Sequence, residues 1–201
     1  MVANKSSAKP PRATPSKGRK ERLIGRRSLR TLLRRDGRRD EITAGAFDLL
    51  STVGTQLIKK IINMCKQEMM HTLGAKGGNV TITTGTIAHA ANCLKINGDV
   101  TDEAFSVLTS VNYDTKAFRR SATRRLVQQH GGKKRARSNV PAFLYCITMI
   151  IMDELVTQIQ QSKGEKNIRI KNEHIFQAIH SASSNFLAPM KTVVGNGLSF
   201  V

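Results

Sequence analysis

Tryptophan is absent from this 201-residue chain, and aromatic residues make up only 4% of it. That scarcity speaks against a binder of single-stranded nucleic acid, which needs aromatic platforms for base stacking. Acid is scarce as well. Asp+Glu number 14 against Lys+Arg 33, a formal net charge of +19, with a sequence pI near 10.6. An excess of this size argues for a polyanionic partner or an acidic membrane surface and says nothing about fold. Cysteine is confined to Cys65, Cys93 and Cys146. An odd number, set in apolar helical stretches without metal-ligand spacing, reads as buried free thiols in a reducing compartment. The N-terminus is polar and basic with no apolar h-region, so neither secretion nor glycosylation of the sequons at Asn4 and Asn79 is expected.

Long hydrophobic runs are missing too. The most apolar stretch, Phe143 to Met152, is too short to span a bilayer and reads as a buried helix, so no membrane partner is expected. The five histidines offer no HExxH or paired metal spacing, and no carboxylate pair falls on an apolar-lined pocket face. No catalytic residue, metal, cofactor or small-molecule substrate is therefore expected. His89 and His174 read as core or interface histidines, and the methionines of the long helices as core filler.

What the chain does have is a helical pattern that occurs twice: short helix, long helix, short helix, with a β-branched run before each final helix. Val80-Thr81-Ile82-Thr83 precedes an apolar stripe at Ile87, Ala90, Ala91 and Leu94. Ile168-Arg169-Ile170-Lys171 precedes Ile175, Ala178 and Ile179. The pairs 82 and 170, 87 and 175, and 90 and 178 share one offset of 88. That repeat implies two similar units in tandem.

Residues 1–25 are Lys, Arg, Ser, Pro and Ala with almost nothing to bury, and read as a disordered basic tail. The first unit, 26–110, opens with a short helix from Ser28 to Arg35, capped by Ser28 and stopped at Asp36-Gly37. Thr43 caps a long helix whose steps of three and four (Ala46, Phe47, Leu50, Val53, Leu57, Ile61, Met64, Cys65, Met69, Leu73) make one apolar face. Gly74, Gly77 and Gly78 end it, although the turn around Lys76 also has the composition of a phosphate nest. A helix from Thr84 to Leu94 comes next. Asn97-Gly98 turns the chain, and Asp99 or Thr101 opens another helix to about Ser110. A linker occupies 111–118. In the second unit, 119–201, a basic helix around Arg119 to Gln129 breaks at His130-Gly131-Gly132. A loop through Lys133, Lys134 and Arg135 leads to a long helix from about Asn139 to Gln161, with Pro141 in its first turn. Ile168-Arg169-Ile170 forms a strand, Asn172 or Glu173 begins the last helix, and Pro189 interrupts any helix beyond it.

A central long helix between two short ones, joined by basic loops, resembles the histone fold. The first unit is similar to histone two-B: Ile42 and Ala46 at the entry to the long helix, Thr81-Ile82-Thr83-Thr84 then Ile87, and Gly98 with an acid before the extra helix. The second unit is similar to histone two-A: Arg135 in the first loop, Pro141 and Leu144 opening the long helix, Glu154 within it, Arg169-Ile170, then His174, Ala178 and Ile179. Two such histones in one chain resemble the histone doublets of giant viruses of the marseillevirus kind, in a shortened variant.

The resemblance implies an all-α fold of two tandem histone folds paired head to tail within one chain. It implies double-stranded DNA as ligand, a histone four–three doublet or equivalent core histones as partner, and residence in the virion, viral factory or host chromatin. It also implies DNA contacts from Arg38, Arg39, Asn79 and Thr81 in the first unit and Arg135, Arg137, Lys166 and Arg169 in the second. The first helices would add Arg30, Arg34, Arg35, Arg124 and Arg125, and the tail Arg26 and Arg27. Arginine suits that work because its planar fork grips phosphate oxygens and its flat head enters a narrow minor groove. Two departures stand out. Of the acids that form a protein-docking patch on histone two-A only Glu154 remains, with Met149, Thr157, Ala182, Ser183 and Ser184 in the other places, and the docking extension is short after Leu198. Two rivals stay open: a CCAAT-binding type of histone-fold transcription factor, and a stand-alone nucleoid protein that bends DNA.

Overall fold

The steps of three and four between Ala46 and Met69 do form a single helix, α1, from Ala44 to Leu73. In the computed structural model the described residues are 29–30, 33–34, 40–73, 81–96, 98–109, 120–131, 136–164, 167–181 and 190–191. They form an all-α fold of six helices with two strands of two residues each. Before α1 comes β1 (Glu41–Ile42); after it come α2 (Thr84–Cys93), α3 (Gly98–Thr109), α4 (Arg120–Gly131), α5 (Val140–Lys163), β2 (Arg169–Ile170) and α6 (Asn172–Ser181). The basic tail, Ser28, the Asp36-Gly37 stop, the turn around Lys76, the linker 111–118 and the segment from Pro189 to Val201, apart from Met190 and Lys191, lie outside the described residues.

Local chemistry explains the helix ends. Thr43 Oγ1 accepts the Ala46 N–H at 3.3 Å, as the sequence suggests. Thr83 and Thr86 cap α2 reciprocally: Thr86 N–H donates to Thr83 Oγ1 at 3.2 Å and Thr83 N–H to Thr86 Oγ1 at 2.9 Å. Gly164 ends α5 at φ +64, a left-handed turn in which a side chain would be strained. Some boundaries move. The β-branched run before α2 supplies, among the described residues, a single bridging residue, Ile82. α4 continues through His130 to Gly131 instead of breaking at His130. α5 reaches 24 residues, beyond the ten-residue apolar run, and is long and apolar enough by length and composition to cross a membrane. It is a core helix here, since 67% of its apolar window is buried within the protein.

The 88-residue repeat is realised in space. α2 and α6 start at 84 and 172 and end at 93 and 181, and their buried residues are Ile87, Ala90 and Ala91 in one and Ile175, Ala178 and Ile179 in the other. Each half sends its elements to the other. β1 lies parallel to β2, with Glu41 in register with Arg169 and Ile42 with Ile170. Ile82, before α2, forms a parallel bridge with Ala136, before α5. α4 rests on both long helices, and α3 crosses onto α5, where the Phe105 and Phe143 rings lie 4.3 Å apart.

One hydrophobic core results, running from Leu29 to Met190 through every helix. Thirteen of the 24 residues of α5 are buried, too many for a single face over a solvated surface. Large apolar side chains are worth about 1.5–3 kcal/mol each when buried, so exposing that helix would exceed the roughly 5–15 kcal/mol by which a domain is stable. Cleaving an engineered protease site within 111–118 should therefore leave the two fragments associated in size-exclusion chromatography, and either fragment alone should be unfolded by circular dichroism. A cooperatively melting 1–110 monomer would contradict this.

One buried polar atom goes unmatched among the described residues. Thr123 on α4 is 0% exposed and its Oγ1 has no hydrogen-bond partner. An orphaned buried hydroxyl costs about 1–3 kcal/mol, so Thr123→Val, which keeps the shape, should raise stability by about 1 kcal/mol in urea denaturation. A fall in stability would show that the hydroxyl is satisfied in solution.

Candidate nucleic-acid interface

The two parallel pairings define two ends of the molecule, and each gathers two helix N-termini. At the first end β1 runs into α1 and β2 into α6. Glu41 N–H donates to the Ile168 carbonyl and Thr43 N–H to the Ile170 carbonyl, both at 3.0 Å. The first turns touch: a Cβ added at Gly45 would stand 3.3 Å from Asn172 Oδ1, so glycine permits the close approach. At the second end Ile82 runs into α2 and Ala136 towards α5, locked by the Arg137 N–H donating to the Ile82 carbonyl at 3.0 Å. Helix N-termini present unpaired N–H donors and a partial positive charge, which favours anions.

Arginines stand around both ends. Leu29 and Leu33 are buried, four residues apart, so the helical turn that carries them presents Arg30 and Arg34 outwards. These two arginines line an open groove of about 430 Å³ with Asp40, Glu41, Thr43 and Phe47. Arg169 is exposed on β2 while its neighbours Ile168 and Ile170 are buried, the alternation of a strand. At the second end Arg137 is exposed and Thr81 half-buried, brought together by the Ile82 bridge. Arg124 and Arg125 project from α4, whose inner side is Thr123, Leu126 and Val127. The structure thus unites Arg30, Arg34 and Arg169 at one end, Thr81 and Arg137 at the other, and puts Arg124 and Arg125 on the helix that spans both long ones. Arg26, Arg27, Arg35, Arg38, Arg39, Asn79, Arg135 and Lys166 lie outside the described residues.

Asp40 is a residue that sequence reasoning misses. The residue is 8% exposed; Oδ1 accepts the Ile168 N–H at 2.8 Å and Oδ2 accepts from the Gln160 side chain. It ties the segment before α1 to the segment before α6, across more than 120 residues of chain. A lone acid in a basic stretch carries no signal of that role, because its partners are a backbone amide and a glutamine. Glu41, in register with Arg169, sets an exposed acid beside the arginines of this end.

Two residues sit differently from expectation. Cys93 is exposed, unlike Cys65 and Cys146, because it lies on the outer side of α2. His89 is not a core histidine: its side chain is 67% exposed, 3.7 Å from Glu68. Glu68, from the neighbouring helix, meets His89 and Cys93, a group that sequence spacing does not reveal. Of the two histidines only His174 is core-facing as expected, with 12% of its side chain exposed and Nδ1 accepting the Lys171 N–H at 3.5 Å. Glu154 is half-buried and accepts a hydrogen bond from Gln158 at 3.1 Å, while Met149 packs against the core.

No protein-family model matches this chain, and no curated protein matches it.

Removing Asp40 should loosen the first end. Hydrogen bonds to a charged group are worth about 1.5–3 kcal/mol, so Asp40→Ala should lower unfolding stability by about 2–3 kcal/mol. The denaturation midpoint should fall with an unchanged slope. An unaltered midpoint would show that this carboxylate does not hold the two segments together.

Proposed function

We propose that this chain is a DNA-packaging histone doublet: two histone folds in one polypeptide, two-B-like then two-A-like, paired head to tail. The observation that carries the reading is the crossed parallel pairing. The segment before the first long helix meets the segment before the last short helix, and the reverse holds at the other end. That arrangement sets two pairs of helix N-termini, each with exposed arginine, at opposite ends of one rigid core. Duplex DNA laid along the molecule would meet Arg30, Arg34 and Arg169, then Arg124 and Arg125, then Thr81 and Arg137.

The mechanism needs no reader of base edges. Backbone N–H groups and arginine forks hold phosphates, and arginine heads enter the minor groove where it narrows; histone octamers are the general example of binding by backbone and deformability. Single-stranded nucleic acid is disfavoured by the shortage of aromatics. The partner on this reading is a histone four–three doublet or equivalent core histones, and the setting is viral or host chromatin. The sparse acids around Glu154 leave a weak anchor for arginine-bearing proteins, since a solitary exposed ion pair is worth about 0–1 kcal/mol.

Affinity should be steep in salt and nearly indifferent to sequence. Counterion release gives about −0.9 in log affinity per log salt for each phosphate neutralised, so six exposed arginines imply a slope of about −5 or steeper. Arg169→Ala should flatten it by about 1. Fluorescence anisotropy on random and defined duplexes measures both. A preference of about a thousandfold for one sequence would instead fit a specific reader and would favour the transcription-factor alternative. Reconstitution with four–three-type histones followed by nuclease digestion should protect a discrete DNA length; a continuous smear would favour a stand-alone nucleoid protein.

A further inference from the structure

Glu68 on α1 and His89 and Cys93 on α2 play no part in the proposed DNA contacts, yet their polar ends meet. His89 Nε2 is 3.7 Å from Glu68 Oε2 and 3.8 Å from Cys93 Sγ. All three ligand atoms lie within 4.8 Å of one another. We propose that these side chains form a binding site for a borderline divalent transition metal, Zn²⁺ in the first instance, that clamps α1 to α2.

The geometry suits that ion. Zinc bonds of about 2.3 Å to sulfur and 2.0–2.2 Å to nitrogen and oxygen, at tetrahedral angles, set ligand atoms about 3.3–3.6 Å apart. The His89–Glu68 and His89–Cys93 separations exceed that by a few tenths of an ångström and the Glu68–Cys93 pair lies within 4.8 Å, so rotamer adjustment of the exposed side chains closes the set. His89 and Cys93 are four residues apart on one helix and so share a face, and Glu68 approaches from the neighbouring helix. Both helices are fixed from behind by Ile87, Ala90 and Ala91 on α2 and Cys65 and Met69 on α1, all buried. The ligands therefore project from a rigid frame.

The donor set selects the metal class. A thiolate with an imidazole and a carboxylate favours zinc, cobalt or nickel over magnesium and calcium, which take oxygen ligands. The site faces solvent, with His89 67% and Glu68 36% exposed, so an ion can enter and water can take the fourth position. Cys93 is the one exposed thiol of the three, which leaves Cys65 and Cys146 unable to compete. The ten residues of α2 put Cys93 about 15 Å along the axis from the Thr81 end. The metal would thus stiffen the helix pair without touching DNA.

The test is titration of the full-length, reduced protein with Co²⁺. A thiolate-to-cobalt charge-transfer band with intense visible bands of tetrahedral cobalt, saturating at one ion per chain and displaced by Zn²⁺, is expected. Cys93→Ala should abolish the charge-transfer band. His89→Ala and Glu68→Gln should each weaken Zn²⁺ binding by at least about a hundredfold, the upper range for losing a mere supporting contact of a metal ligand. Zn²⁺ should raise the melting temperature of the unaltered protein and leave that of Cys93→Ala unchanged. All three residues are on the surface side of their helices, and unaltered circular dichroism and DNA affinity of the variants confirm folding independently. A charge-transfer band that persists in Cys93→Ala, weak octahedral-type bands, unaltered Zn²⁺ affinity in His89→Ala, or one ion shared by two chains would each overturn the proposal.

Discussion

Burial of two long apolar helices is the constraint on which the rest of the structure depends. α1 and α5, of 30 and 24 residues, extend about 45 and 36 Å at 1.5 Å per residue. Neither is covered by the short helices of its own half alone. α4, from the second half, lies on α1, and α3, from the first, lies on α5. The exchange of covering helices obliges the halves to cross, and the crossing fixes which segments meet at the ends. Asp40, Ile42 and Ile170 at one end and Ile82 and Ala136 at the other are the resulting seams.

A functional reading grows from that geometry. Parallel pairing of the segments before helices means that two helices begin side by side at each end, so their positive ends add. The apolar side chains of those segments turn inward, and the arginines between them are left outside, as with Arg169 between Ile168 and Ile170. Cations here are thus a by-product of strand alternation combined with a basic sequence. The Glu68, His89 and Cys93 cluster arises differently: it occupies the outer rim of the α1 and α2 contact, where the packing leaves polar positions facing one another.

Much of this was legible in the chain. The 88-residue offset foretold α2 and α6 down to their buried positions, and the three- and four-residue steps foretold α1, because both signals are local periodicities. The parallel pairings of Ile42 with Ile170 and of Ile82 with Ala136 join distant stretches of chain and leave no local periodicity to read. Asp40 was not legible at all, because its partners are a backbone amide and a glutamine more than a hundred residues away. The Glu68, His89 and Cys93 cluster escaped for a similar reason. His89 and Cys93 share a helix face, but Glu68 comes from another helix and an unrelated stretch of sequence. Exposure was also misjudged for Cys93, where an apolar neighbourhood in sequence concealed an outward-facing helical position.

On the proposed reading, duplex DNA would lie along the two ends of the molecule and the α4 surface. Site-specific photo-crosslinking tests it most directly, with a crosslinking amino acid placed in turn at Arg169, Arg137, Arg124 and, as a control, exposed Met70. Efficient crosslinks to a random-sequence duplex are expected from the three arginine positions and few from Met70. Strong crosslinking from Met70 with none from Arg169 and Arg137 would contradict it.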